Sequence, residues 1–321
     1  MRKWNAIVVL RAFALAKCKE PSAVQKTAFA IEKPAIKDYL RLGKHKLTGF
    51  IVLTALSGYS LGFSAAAPAS NANWPTQLSC LVVGTALCSF SAASLNQLFE
   101  VPYDFQMPRT QNRPLTAHKI PLRKAFAFSI ATAVSGVGIL AAGTTIVTSA
   151  LGAGNLVLYA FVYTPFKRIS RWNTWIGAVV GAIPPLMGWT ACGSAVNCTS
   201  LLLPALLYCW QFPHFFALSW NLRKEYSRAG YEMLTVLHPE KSTLVALRYS
   251  LVIPVISGMF YWFGVGGAKF LACALVLDAG LVWNAVRFWA KTSSVNAKRL
   301  FFASLVHLPV YLAALSASSS W

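Results

Sequence analysis

The chain has 321 residues, of which 56% are hydrophobic and only 12% charged. Soluble domains carry about a quarter charged residues and disordered chains are far less apolar, so these and coiled coils are excluded and a polytopic membrane protein is expected. Lys and Arg number 29 against nine Asp and Glu, a net charge of +20, which in so apolar a chain points to membrane topology rather than nucleic acid.

Residues 1–45 read as a basic N-terminal arm. Its first 19 residues contain Arg2, Lys3, Arg11, Lys17 and Lys19, with no acid before Glu20. This pattern is expected of a mitochondrial targeting segment; a basic anchor of a bacterial inner-membrane protein is the alternative. No long apolar run followed by a small-residue cleavage site opens the chain, which argues against a secretory signal.

Residues 46–321 read as one membrane domain. Runs of about 20 mostly apolar residues predict an all-α protein of nine transmembrane helices, near 47–67, 76–95, 125–143, 147–166, 173–191, 201–221, 244–264, 268–289 and 300–318. Continuous runs favour helices over the alternating strands of a membrane barrel. In this arrangement 28 of the 29 basic residues fall on one face of the bilayer. That bias puts the N-terminus and the charged loops on the cytoplasmic or matrix side. The seven cysteines form no CxxC pair and are odd in number, so no disulfide framework or zinc site is legible in them.

Acids are scarce enough for their positions to carry information. Asn96, Glu100 and Asp104 stand at steps of four after the second predicted span. On a helix that spacing gathers an amide and two carboxylates on one face, an oxygen set suited to Mg²⁺ and a diphosphate. Pro102 interrupts the series and could leave Asp104 on a loop. Solvated acids at a polar helix end are the plainer alternative. Arg109 and Arg113 follow directly, and their forked guanidinium groups suit phosphate oxygens, although arginines in a loop also serve as orientation signals.

Lys167 and Arg168, after the fourth span, could reach the same anion or act only as topogenic charges. After the sixth span His214 and Glu225 lie eleven residues apart, on one face of a continuous helix. Glu225 could bind metal or simply pair with Arg228. His214 and His307 fall within or at the ends of spans, where ionisable groups suggest function. Asp278, alone in the eighth span, is expected to pair with another helix, membership of a proton path being the alternative. Tyr103, Phe99 and Trp210 are aromatic candidates for sheltering a carbocation, or plain core residues.

Asn96-x-x-x-Glu100-x-x-x-Asp104 followed by Met107-x-Arg109-Thr110-x-x-Arg113-Pro114-Leu115 resembles the first acidic motif of the UbiA-type intramembrane prenyltransferases. Residues 163–168 (Tyr-Thr-Pro-Phe-Lys-Arg), Gly181-Ala182-Ile183-Pro184-Pro185 with Gly188-Trp189, and Pro213-His214-Phe215 through Glu225-Tyr226-x-x-Ala229-Gly230 resemble the haem O synthase branch. The resemblance runs from about Leu40 to the ninth span. It implies nine helices around a central cavity, and transfer of a farnesyl group from farnesyl diphosphate to a vinyl group of haem B, with addition of water, giving haem O for haem A synthesis.

It further implies Mg²⁺ on Asn96, Glu100, Asp104 and Glu225, diphosphate on Arg109, Arg113, Lys167 and Arg168, and haem near His214 and His307. Implied partners are farnesyl diphosphate, haem B, the lipid bilayer, and haem A synthase or oxidase assembly factors. The implied location is the mitochondrial inner membrane with the active-site loops on the matrix side, or the cytoplasmic side of a bacterial plasma membrane. Two departures from the wider family stand out. Glu100 replaces a usual aspartate, as in mitochondrial members, and Glu225 stands where many relatives using aromatic acceptors carry a second Asp-x-x-x-Asp. Alternatives are a prenyltransferase with an aromatic acceptor, or a polytopic transporter.

Overall fold

The computed structural model describes residues 34–65 and 73–318. The targeting segment expected at the N-terminus lies outside the described residues. Those described are helical, with no strand: α1 (Ile36–Leu42), α2 (His45–Ala65), α3 (Trp74–Asp104), α4 (Leu122–Gly143), α5 (Ile146–Phe166), α6 (Asn173–Ala191), α7 (Leu202–Arg228), α8 (Leu234–Leu237), α9 (Pro239–Trp262), α10 (Ala268–Ala290) and α11 (Ser294–Ser318).

Among the described residues eight helices are long and apolar enough to cross a membrane. The remaining expected span, α6, has 19 residues, but Pro184, Pro185, Asn173, Thr174 and Thr190 dilute its apolar content. It is held instead by an unusually close approach to α2. A Cβ added at Gly58 would lie 1.9 Å from the Pro185 carbonyl oxygen, and one at Gly188 would lie 1.9 Å from that of Ala55. Two glycines thus let the backbones touch, a common way for membrane helices to gain packing where the hydrophobic effect between them is weak.

Helices adjacent in sequence pack side by side from α2 round to α11, α7 also touches α6 and α11, and α11 returns to α2. Large apolar side chains such as Val134, Ile146, Val276 and Phe302 face outward, as they should where lipid replaces water. An apolar cavity of about 90 Å³ lies between α2, α3, α5 and α6. Lys44 borders it at the end nearest the acidic motif, and Cys88, Gly152 and Met187 line its deeper part.

Candidate active site

The α3 helix does not stop where its apolar run ends at Leu95. It continues through Pro102 to Asp104, so Asp104 stays on the helix. Asn96, Glu100 and Asp104 share its inner face, 0%, 4% and 1% exposed. Buried carboxylates need compensation, and three cations supply it. Lys167 Nζ lies 2.7 Å from Glu100 Oε1. Arg113 Nη1 lies 2.6 Å from Asp104 Oδ2 and 3.7 Å from Glu100 Oε2. Lys44 Nζ donates to Asn96 Oδ1 at 2.9 Å.

Local structure aims each of these groups. Thr110 donates its hydroxyl to the Asp104 carbonyl at 2.9 Å, and Thr116 donates to the Thr110 and Arg113 carbonyls at 3.0 and 2.9 Å. The chain after α3 therefore curls back and returns Arg113 to the acid nine residues before it. Within α5, residues Leu158–Tyr163 form a π-helical turn, a widening often found at functional sites. It leaves the Thr164 hydroxyl donating to the Tyr159 carbonyl at 2.9 Å and accepting from Asn96 Nδ2 at 3.1 Å. The same helix end delivers Lys167 to Glu100.

Lys44 is a site residue that sequence reasoning missed. Gln97 Nε2 donates to the Leu42 carbonyl at 2.7 Å and so fastens the end of α1 to α3. The next turn is tight, with Lys44 at φ 51°, a left-handed conformation that costs a lysine about 1 kcal/mol. Burial first, then the charges of Arg113 and Lys167, pull the Lys44 ammonium down to about 7. Lys167 is pushed the other way: despite burial, Glu100 holds its ammonium above the ordinary lysine range.

The second motif reaches the first through an aromatic layer. Gly230, at φ 69°, ends α7 with Tyr231 N–H donating to the Tyr226 carbonyl at 3.0 Å and Gly230 N–H to that of Ser227 at 3.1 Å. This Schellman turn needs the left-handed conformation that glycine adopts freely. It folds Tyr231 back against Tyr226 and Tyr103, with ring centres 5.9 and 6.1 Å apart. The Tyr231 hydroxyl is buried without a hydrogen-bond partner among the described residues. Burial, then the charges of Glu100 and Asp104, hold its phenol above the usual range. Glu232 N–H donates to the Lys167 carbonyl at 2.8 Å, stitching the two loops together.

Not every expected residue joins the cluster. Arg168 lies over Tyr103, its guanidinium carbon 4.3 Å from the ring centre, and donates to the Tyr103 hydroxyl. Arg109 is exposed and in no ion pair among the described residues. Glu225 lies on α7 just before that turn, half-buried, with Oε2 buried and unpartnered among the described residues; it does not pair with Arg228. Phe99 packs edge-on against Phe161, 5.8 Å between ring centres.

The two histidines differ. His214 stacks between Trp210 and Phe301, at 4.6 and 4.9 Å, and its Nδ1 lies 2.9 Å from Ser304 Oγ. With the Ser304 hydroxyl donating to the Phe301 carbonyl at 2.6 Å, Ser304 Oγ is left to accept from Nδ1–H, and Nε2 has no partner among the described residues. His307 Nε2 instead meets Asp278 Oδ1 at 2.7 Å, both side chains at most 2% exposed. Ser257 donates to Asp278 Oδ2 at 2.6 Å and lies 3.0 Å from the Tyr311 hydroxyl. This network joins α9, α10 and α11, and it gives Asp278 the interhelical partner expected for it.

Residues 51–306 match the model of the UbiA prenyltransferase family. The chain belongs to that family. It is 46% identical over 272 residues to the mitochondrial protoheme IX farnesyltransferase of Homo sapiens, covering 85% of this chain and 60% of the relative. It is 39% identical over 279 residues to the protein of the same name in Arabidopsis thaliana, covering 86% of this chain and 64% of that one. The chain thus spans about 60% of the length of these curated relatives. Among solved structures it superposes on a digeranylgeranylglyceryl phosphate synthase with a TM-score of 0.73, at 16% identity, covering 88% of this chain and 98% of the other. A UbiA homolog from Archaeoglobus fulgidus bound to DMAPP and Mg²⁺ gives 0.58, at 14% identity and with 87% and 99% coverage. At such identities the likeness establishes the shared fold.

Proposed function

We propose that the chain transfers a farnesyl group from farnesyl diphosphate to a vinyl group of haem B, with addition of water, giving haem O and diphosphate. The observation that carries the reading is the row Asn96, Glu100, Asp104, buried and ringed by Lys44, Arg113 and Lys167 at the mouth of an apolar cavity. A charged head and a greasy tail are what such a site accommodates. The acceptor is taken from the names of the relatives, as is a mitochondrial location. With active-site loops on the basic face, the substrate heads would enter from the matrix side.

The donor set fits a divalent ion. Asp104 Oδ1 and Glu225 Oε2 are buried oxygens with no partner among the described residues, and hard cations seek such ligands. Among the described residues no group of three His, Cys, Asp or Glu is close enough to hold an ion. Asn96, Glu100 and Asp104 would therefore hold Mg²⁺ together with the phosphate oxygens; Glu225 stands outside their cluster and would reach an ion only across the diphosphate. When bound, the ion neutralises the leaving diphosphate. Lys44, Arg113 and Lys167, now facing the acids, turn their N–H groups to the phosphates, with Arg109 and Arg168 at the outer edge. Charge on the departing oxygens is then met by Arg113 and Lys167, while Lys44 binds the diphosphate alike in ground and transition states. Tyr103 and Phe99, the aromatic candidates for sheltering the allylic cation, are instead engaged by Arg168 and Phe161. His214 Nε2 and His307 Nδ1 are each without a partner among the described residues and are the two candidate haem ligands, His307 being oriented by Asp278 through its Nε2.

Two outcomes follow. Lys44→Met should raise KM for farnesyl diphosphate about tenfold with kcat nearly unchanged, the effect of losing one charge-assisted bond present in ground and transition states alike. A Cβ on Gly152 would lie 2.8 Å from Leu140 Cδ1 and 3.2 Å from Met187 Cε, so Gly152→Leu finds no room on the α4 side and crowds the cavity that Gly152, Met187 and Cys88 line. Displacing two or three methylenes of the tail should weaken farnesyl diphosphate about tenfold or more, while dimethylallyl diphosphate still competes as before. Steady-state kinetics on purified protein check both. The acceptor is tested by mass spectrometry of haem extracted from cells expressing the chain: a farnesyl-plus-hydroxyl increment supports haem B, and its absence refutes it.

A further inference from the structure

The α7 helix has a second charged face. Arg223, Lys224, Ser227 and Arg228 line an open recess with Thr235 and with Pro239 at the start of α9. Along a helix these four α7 positions point away from Glu225 and Tyr226, so the recess is separate from the acidic rim. Three cations line it and no acid does. Thr235 is 0% exposed, and its hydroxyl has no hydrogen-bond partner among the described residues. A buried hydroxyl left unpaired in a cationic recess is a donor awaiting an acceptor.

Arg223 is already fixed in place. Its guanidinium carbon lies 4.3 Å from the centre of the Trp220 ring, and Nη1 donates to the Trp220 carbonyl at 2.7 Å. Its remaining N–H groups are thereby presented at small entropic cost. Height in the membrane indicates the source of the acceptor. The recess lies where one span, Thr199–Arg228, ends and another, Pro239–Trp262, begins, the level of the lipid headgroups. Basic pockets between helices at that level suit anionic headgroups.

We propose that this recess binds the phosphate of an anionic phospholipid headgroup. The proposal is independent of the reaction, because the lining residues take no part in it. The test is native mass spectrometry of the purified full chain titrated with dioctanoyl phosphatidylglycerol, dioctanoyl phosphatidylcholine or inorganic phosphate. The anionic lipid should be retained over the zwitterionic one, and the exposed-residue variant Lys224→Gln/Arg228→Gln should bind it about tenfold more weakly or worse. Thr235→Val, which keeps the side-chain shape, should weaken it in the same direction. Equal retention of both lipids, or full retention by the variants, would overturn the proposal. Displacement of the lipid by inorganic phosphate at equal concentration would overturn it too, marking a free-phosphate site.

Discussion

Asp104→Asn is expected to lower farnesyl transfer about a thousandfold while the protein still folds and inserts. Asparagine keeps the volume of the buried side chain and an oxygen at the place of Oδ2. It removes the charge that answers Arg113 at 2.6 Å and the free lone pairs of Oδ1. Arg113 retains a neighbour in Glu100 at 3.7 Å, so the loop after α3 has reason to stay closed. What is lost is the ability of the row to bind a cation at the point where diphosphate charge develops. Initial rates at saturating Mg²⁺, with thermal unfolding measured in parallel, separate the two effects. Unchanged turnover would remove Asp104 from the reacting centre.

Asp278→Ala should act in the opposite way, on stability rather than chemistry. It strips the partner from His307 and an acceptor from Ser257 in a site where the Asp278 and His307 side chains are at most 2% exposed. Each buried polar group left without its partner costs about 1–3 kcal/mol. Three helices lose their tie at once. A large fall in Tm in detergent is expected, with turnover per folded molecule little altered, and His307→Ala should add little to Asp278→Ala because the two share one interaction. Unaltered Tm with selective loss of turnover would instead give the pair a role in the reaction.

Most of the helical frame was legible because apolar runs and basic loops are read residue by residue. The exceptions have physical causes. The α3 helix outlasts its apolar run by nine residues because its polar end is buried against cations from distant segments, and hydropathy does not register such pairing. The α6 helix is held by glycine contacts with α2, which an average over its composition cannot express. Within the site, the steps of four from Asn96 to Asp104 announced themselves. Lys44 did not: as one of 11 basic residues among the first 46, it carried no local mark, and the Gln97 bond to Leu42 together with Leu42's packing on Leu98 and Val101 brings it over Asn96. The histidines looked alike in sequence and separate only through Ser304 and Asp278.

The most direct measurement is incubation of the purified chain with haem B and isotopically labelled farnesyl diphosphate, with and without Mg²⁺. The site described predicts label in a haem product, formed with Mg²⁺ and lost when Mg²⁺ is chelated. Label that stays in farnesyl diphosphate, or that passes only to an aromatic acceptor supplied in place of haem B, would contradict it.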